Sequence, residues 1–175
     1  MSYFSYKNNI LYCEKVKISD IADKYGTPAY IYSKKTLSEN FDAYANAFDK
    51  KSGLICFSVK SLSNLSILKF LSEKVSGFDI VSGGELERTL LAGVDPKKII
   101  FTGIAKTDEE ILFGIEKNIL SFNIESKSEM MRIEKIARDR KKLVDVAIRF
   151  NPEIDAGGHE YIKTCLLYTS PSPRD

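Results

Sequence analysis

The chain has 175 residues, of which 43% are hydrophobic, and a formal net charge of +2. This length suits one domain of ordinary size, and so small a charge argues against nucleic acid or a membrane surface as a partner. No run approaches the roughly 20 apolar residues of a membrane span, and the polar start of the chain shows no apolar signal segment.

The cysteines and the histidine argue against a disulfide framework and against a zinc site. The three cysteines, Cys13, Cys56 and Cys165, show no CxxC spacing and no disulfide density, so we expect a reducing, cytoplasmic setting. The one histidine, His159, argues against a zinc site. It stands in the polar stretch 157–160, where an incidental loop position is the favoured interpretation.

The N-terminal part of the chain predicts a short mixed segment. Its pattern indicates a hairpin strand, a short helix, a second strand and a longer helix over residues 4–12, 19–25, 27–32 and 33–48. Ser19 or Asp20 would cap the short helix and Ser33 the longer one. We expect residues 1–32 to pack outside the repeat that follows.

From residue 54 onward, strand-like and helix-like segments alternate. Strands are predicted over residues 54–60, 77–82, 99–103, 121–125 and 144–151, and helices over residues 64–74, 84–92, 108–117 and 128–140. Asn64 is a plausible N-cap, and Thr107 precedes an acidic first turn. Gly77 and Gly93 have the character of helix stops.

This alternation predicts an α/β fold with a parallel sheet and right-handed crossovers. Two architectures compete, a doubly wound sheet and a (β/α)8 barrel. Because no GxGxxG sequence follows the first strand, the dinucleotide-binding version of the doubly wound sheet is disfavoured.

Lys60 closes the first predicted strand of the repeat. A lysine at a strand end is usually a solvated charge, but a buried lysine is easily made neutral, and a neutral amine forms a Schiff base with an aldehyde. Strand side chains alternate between faces, which groups Cys56 and Ser58 with Lys60. The bulkier set, Ile55, Phe57 and Val59, would contact the helices and leave Lys60 facing the barrel interior.

The same alternation places four further polar residues on the interior face with Lys60. These residues are Asp79, Asn123, Glu125 and Arg149. Charged groups are rarely buried unless they are paired, so a mixed-charge interior near the strand ends predicts a site. The alternative is a structural cluster of ion pairs at a barrel end.

The turn of residues 82–85, SGGE, joins a strand to a helix. Glycines there could let backbone amides cradle a phosphate. However, Glu85 already places negative charge at that helix start, which favours a tight-turn role for the glycines.

Several motifs together resemble the fold-type III pyridoxal-phosphate decarboxylases. FSVKSLSN at residues 57–64 is similar to the segment that attaches the cofactor, and GFDIVSGGEL at residues 77–86 to the second-strand motif. YGTP at 25–28, FNP at 150–152 and HEYIKT at 159–164 resemble the branch that acts on diaminopimelate. The resemblance runs from about residue 21 to residue 164.

The resemblance implies an incomplete (β/α)8 TIM-type barrel of the alanine-racemase-like kind, with about five βα units over residues 33–164. Lys60 would carry pyridoxal 5′-phosphate as a Schiff base. Asp79 and Glu85 would lie near that Schiff base and the cofactor ring, and Arg149 near the phenolic oxygen of the ring. No metal is expected.

The implied reaction is decarboxylation of meso-2,6-diaminopimelate to L-lysine. Alternatives are an ornithine, arginine or carboxynorspermidine decarboxylase, a non-catalytic pyridoxal-phosphate-binding barrel protein, or a plain βα domain in which Lys60 is structural. Ser58, Ser61 and Leu62 depart from the usual residues beside the lysine. The family also needs a later histidine, a phosphate-binding glycine loop and a C-terminal β-domain, so this part of the enzyme is expected to be inactive alone. The full-length parent is expected to be a homodimer that binds a small amino-acid substrate.

Residues 165–175, CLLYTSPSPRD, break with the preceding rhythm. The string resembles the translation of a sequencing-library adapter, and Cys165 stands where the family usually has glycine. We expect the natural sequence to end at Thr164 and residues 165–175 to be an assembly scar; the alternative is a natural disordered C-terminus. Sequencing the source DNA across codon 164 distinguishes the two.

Overall fold

The computed structural model describes residues 3–48 and 53–150, and the chain divides into two units at Leu54. The first unit, Met1–Leu54, holds the N-terminal segment, and the second, Ile55–Asp175, holds the repeat. This division falls after the longer N-terminal helix, whereas the domain boundary expected from sequence, between residues 32 and 33, falls before it. His159 and the 165–175 string lie outside the described residues.

The first unit contains an antiparallel sheet of three strands and two helices. In chain order these elements are β1 (Phe4–Lys7), β2 (Ile10–Cys13), β3 (Val16–Lys17), α1 (Ile18–Tyr25) and α2 (Lys34–Ala47). The sheet order is β1-β2-β3. The predicted hairpin is confirmed: Asn8 and Asn9 turn the chain at φ values of 49° and 60°, which asparagine tolerates better than most residues.

Two predictions for this unit were wrong. Residues 27–32 form no strand, because no neighbouring strand pairs with them among the described residues. The residue before α1 is Lys17, which makes no side-chain cap, so neither Ser19 nor Asp20 caps that helix. The predicted cap of α2 is confirmed, since Ser33 Oγ accepts a hydrogen bond from the Thr36 amide at 3.1 Å.

The second unit is a sheet of five parallel strands connected by helices. Its strands are β4 (Cys56–Ser58), β5 (Gly77–Ile80), β6 (Ile99–Phe101), β7 (Ser121–Ile124) and β8 (Val146–Ile148). Its helices are α3 (Leu65–Ser72), α4 (Gly83–Leu91), α5 (Asp108–Lys117) and α6 (Lys127–Asp139). No helix in the described ranges is long and apolar enough to cross a membrane.

Strand order decides between the two architectures that the sequence left open. The five strands lie side by side in chain order, and every neighbouring pair is parallel. A doubly wound sheet reverses its strand order at a switch point, whereas a barrel adds each strand on the same side. The second unit is therefore an incomplete α/β barrel.

The core lies between one face of this sheet and its helices. The strands contribute Phe78, Ile80, Ile99, Phe101 and Phe122, and the helices contribute Leu68, Leu86, Ile111 and Ile115, all of them almost inaccessible to solvent. The rings of Phe101 and Phe122 stack with their centroids 5.8 Å apart. Burial of this apolar surface is the main force that orders the unit.

The helix boundaries show which local signals were correct. Asn64 caps α3 by accepting hydrogen bonds from the amides of Ser66 and Ile67, and Thr107 forms a capping box with Glu110 at the start of α5. Gly93 follows α4 at a φ of 82°, as expected of a helix stop.

Gly77 is not a helix stop but the first residue of β5. A Cβ atom there would lie 2.7 Å from the Lys98 carbonyl oxygen and 3.0 Å from Cys56 Sγ. Close strand packing therefore explains this glycine.

Candidate functional site

Polar side chains collect on the face of the five-stranded sheet opposite the helices. In the strand register, Ser58 lies beside Asp79, and Asn123 lies beside Ala147. These positions alternate with the buried apolar residues of the core, as strand geometry requires. The polar residues lie near the carboxyl ends of the parallel strands. This is the end at which α/β barrels carry their active sites.

A hydrogen-bond network connects three adjacent strands on this face. The Thr102 hydroxyl, just beyond β6, donates to Asp79 Oδ1 on β5. It also accepts a hydrogen bond from Asn123 Nδ2 on β7 at 2.9 Å. All three residues are half-buried, so the network restrains the Asp79 carboxylate without removing it from solvent.

Glu125 and Arg149 extend the polar face at the ends of β7 and β8. Arg149 Nη1 donates to Glu125 Oε1 at 3.1 Å, and the two side chains are 42% and 16% exposed. The structure thus links Asp79 with Asn123 through Thr102, and it pairs Glu125 with Arg149.

Lys60 lies just beyond β4, at the same end of the sheet. The strand ends at Ser58, and residues Val59–Ser61 form a 3-10 turn that the Ser61 hydroxyl closes on the Ser58 carbonyl at 2.7 Å. The strand is therefore shorter than the predicted 54–60, and the inward orientation of Lys60 stays a prediction. Val59 is fully buried and Lys60 is exposed.

Ser58 carries a buried hydroxyl oxygen for which the described residues supply no hydrogen-bond partner. Buried polar atoms in native proteins are rarely left unpaired. Its neighbour on the adjacent strand is Asp79, so the unpaired hydroxyl lies on the polar face. Ser58 also precedes Lys60 by two positions in the sequence. The position suits a polar ligand that would complete the pairing.

The first glycine of the SGGE segment, Gly83, begins α4 and lies close to Glu110. The Gly83 amide donates to Glu110 Oε1 at 2.6 Å, and a Cβ atom on Gly83 would meet Glu110 Cγ at 3.0 Å. The Gly83 amide is therefore already paired, and the tight-turn role of the glycines stays a prediction.

Carboxylates occupy the N-termini of three successive helices at this end of the sheet. Glu85 Oε2 accepts from the Val81 amide at 2.8 Å, Glu110 closes the start of α5, and Glu129 accepts from the Glu125 amide at 2.8 Å. Glu85 is thus committed to the start of α4 and does not join the network around Asp79 in the described chain. Negative charge at these helix ends opposes the binding of a phosphate there.

Electrostatics distinguishes two groups near the site. Burial raises the pKa of the Cys56 thiol, and the charge of Asp79 raises it further, so this cysteine stays protonated and is a poor nucleophile. Burial also opposes ionisation of Glu110, but hydrogen bonds from the Gly83 and Thr107 amides outweigh it and lower the pKa of that carboxyl.

Sequence reasoning missed Thr102 and Lys106. Thr102 could have been found, because it shares the alternation of Ile100 within the same run. Lys106 gave no such signal. It stands in the loop before α5, yet its side chain is fully buried, and its Nζ lies 2.7 Å from Glu129 Oε1. Among the described residues no group of three histidine, cysteine or acidic side chains could hold a metal ion.

Comparisons with known proteins agree with this geometry. A family model described as pyridoxal-dependent decarboxylase, pyridoxal binding domain, matches residues 34–167. Diaminopimelate decarboxylase from Haemophilus influenzae is 46% identical over 166 residues, which are 95% of this chain and 40% of that protein. The chain thus spans about two fifths of the length of the curated relatives that it matches.

Solved structures show the same relationship. Diaminopimelate decarboxylase from M. jannaschii superposes with a TM-score of 0.82 at 34% identity, over 93% of this chain and 39% of that chain. The Helicobacter pylori enzyme, solved with L-lysine, superposes with a TM-score of 0.80 at 40% identity, over 86% of this chain and 38% of that chain.

Proposed function

The chain belongs to the family of pyridoxal-dependent decarboxylases, as their pyridoxal-binding domain, and from this we propose that it is the N-terminal part of a diaminopimelate decarboxylase. The reaction is loss of a carboxylate from meso-2,6-diaminopimelate to give L-lysine, with pyridoxal phosphate as cofactor. Relatives that carry this activity match the chain across nearly its whole length. The enzyme is a carboxy-lyase of lysine biosynthesis.

The observation that carries the proposal is the position of Lys60 relative to the polar face. Its amine is exposed at the carboxyl end of β4, and the next strand carries Asp79, held by Thr102. Lys60 is the residue that would bind the aldehyde of the cofactor. When bound, pyridoxal phosphate withdraws the electron pair that the departing carboxylate leaves on the substrate.

The residues of the polar face would hold and orient the cofactor. Asp79, fixed by its acceptor role toward Thr102, offers a negative charge to a cationic ring nitrogen or iminium. Arg149, already balanced by Glu125, offers a cation to an anionic oxygen. Glu85 would act through the turn that it closes rather than by direct contact. The phosphate would be bound away from the acidic starts of α4, α5 and α6.

The test uses the full-length parent enzyme. Borohydride reduction followed by peptide mapping should place a pyridoxyl group on Lys60, and Lys60→Ala should lower decarboxylation of diaminopimelate by about 10³-fold or more. Lys97→Ala is the matched control, because Lys97 is also exposed in a 3-10 turn but precedes β6, at the opposite end of the sheet.

Labelling of another lysine, or full activity of Lys60→Ala, would refute the proposal. A labelled Lys60 in an enzyme that releases product from ornithine or arginine, but not from diaminopimelate, would reassign the substrate within the family. A labelled Lys60 in an enzyme that decarboxylates none of these would indicate a carrier barrel.

We also propose a cytoplasmic homodimer for the full-length parent, with residues 1–32 outside the barrel and residues 165–175 foreign to it. The cysteine pattern supports a reducing compartment. Sedimentation analysis of the parent enzyme measures its oligomeric state, and a monomeric mass would contradict the dimer.

A further inference from the structure

Lys106 is a buried cation whose three N–H groups all have acceptors. Its Nζ donates to the Gly103 carbonyl at 2.6 Å, to the Asn123 carbonyl at 2.8 Å and to Glu129 Oε1 at 2.7 Å. It also lies 5.7 Å from the centroid of the Phe101 ring. A buried ammonium needs this degree of pairing to remain charged.

Glu129 is equally committed. Its Oε1 binds Lys106, its Oε2 accepts from the Glu125 amide at 2.8 Å, and its own amide donates to Ser126 Oγ at 3.2 Å. The ion pair therefore connects the loop after β6 with the end of β7 and the start of α6. Arg132 adds a further link, since its Nη2 donates to the Lys106 carbonyl at 2.8 Å.

The backbone groups that Lys106 holds belong to the polar face. Gly103 directly follows Thr102, and Asn123 is itself the third member of the network around Asp79. One ammonium thus fixes the main chain on both sides of the Asn123–Thr102 hydrogen bond. A shift at either carbonyl would move the hydroxyl that donates to Asp79.

We infer that Lys106 is a positioning residue for the cofactor site: through the Gly103 and Asn123 carbonyls it sets the geometry with which Thr102 and Asn123 hold Asp79. This inference rests on the proposed function, because it assigns Asp79 to the cofactor. A purely structural pair is the competing account. Buried ion pairs often add little net stability over apolar residues of similar size. A variant without the pair should therefore keep most of its stability and still bind the cofactor more weakly.

The test variant is Lys106→Met with Glu129→Gln in the full-length parent enzyme. Methionine fills a similar volume without charge, and glutamine leaves no buried unpaired carboxylate. Glutamine also keeps a side-chain oxygen that can accept the hydrogen bond of the Glu125 amide. We expect the dissociation constant for pyridoxal phosphate to rise about tenfold, equivalent to ~1.4 kcal/mol.

Lys142→Met provides the matched control. Lys142 Nζ also has three acceptors, the Ile115 and Glu116 carbonyls and Asn118 Oδ1, but these lie at the far end of α5. Its removal should lower stability and leave the affinity for pyridoxal phosphate unchanged. An equal loss of affinity in both variants would overturn the inference, because it would show a general structural effect.

A double-mutant cycle with Thr102→Val tests the route of action. If Lys106 acts through Thr102, the losses of affinity from the charge-free pair and from Thr102→Val will not multiply, since contacting groups in one network are coupled. Multiplicative losses would show that Lys106 acts elsewhere. If the methionine variant does not fold, Lys106→Gln with Glu129→Gln makes the same test, because it removes the ammonium from both carbonyls and lets the two buried amides hydrogen-bond each other. Unchanged affinity in that variant would overturn the inference.

Hydrogen exchange of the Asn123 side-chain amide gives a readout without cofactor. It should be slow in the unmodified enzyme and about tenfold faster without the ion pair; unchanged exchange would contradict the inference. If the unmodified enzyme fails to bind pyridoxal phosphate while this exchange responds as expected, the proposed function fails and the structural link from Lys106 to Asn123 stands.

Discussion

The two units of the chain differ in how they are held together. The second unit encloses a layer of fully buried aromatic and aliphatic side chains between its sheet and its helices. In the described part of the first unit only Cys13 and Ser33 are buried, and neither α1 nor α2 buries a residue. Tyr30, by contrast, is 91% exposed.

This difference shows that regular structure and core formation are separate properties. The first unit has a paired sheet and a well-capped helix, and Ser33 both caps α2 and donates to Glu14, 19 positions earlier. Most helical stability in proteins comes from packing an apolar face. We therefore expect the second unit to determine the stability of the chain and the first to contribute through local contacts.

The largest contrast should come from a matched pair of aromatic truncations. Phe101→Ala removes a fully buried ring stacked on Phe122 and should lower the free energy of unfolding by about 3–5 kcal/mol. Tyr30→Ala removes an exposed ring and should change it by less than ~0.5 kcal/mol. Urea unfolding followed by circular dichroism measures both. Equal losses would show that the first unit shares in the core.

A smaller contrast should come from the two helix caps. Thr107→Ala and Ser33→Ala each remove a side-chain acceptor for a helix N-terminal amide and should cost about 1 kcal/mol locally. We expect Thr107→Ala to lower the global unfolding midpoint, and Ser33→Ala to speed amide exchange in α2 alone. If Ser33→Ala also lowered the global unfolding midpoint, the two units would have to unfold as one cooperative structure, contrary to this expectation.

The smallest effect should be the dependence on acid pH. Hydrogen bonds from the Lys35 amide and the Ser33 hydroxyl lower the pKa of Glu14, and those from Gly83 and Thr107 lower the pKa of Glu110 against the effect of burial. A carboxyl with a lowered folded-state pKa stabilises the fold above its ordinary value of 4.5, and this contribution disappears as the pH falls through the folded-state pKa.

Between about pH 5 and pH 3 the free energy of unfolding should therefore depend less steeply on pH in Glu110→Gln than in the unmodified protein. Glu14→Gln should flatten the pH dependence only of α2 amide exchange. A Glu14→Gln variant that changes global unfolding as much as Glu110→Gln does would contradict the separation of the two units.

The sequence by itself determined the elements of the repeat and the faces of its strands. Alternation placed Asp79 and Asn123 opposite the core, and local capping signals located Asn64 and Thr107. These features depend on residues a few positions apart, so periodicity and side-chain chemistry are sufficient to predict them.

Only the tertiary structure decided which distant residues meet. Lys106 is buried because Glu129, 23 positions later, reaches its ammonium. Gly77 leaves room for the carbonyl of Lys98, the residue just before β6. β4 ends two residues before Lys60, at a 3-10 turn that the sequence alternation does not mark. Such contacts depend on strand register and helix placement, which arise when the whole core packs and are not written in any local pattern.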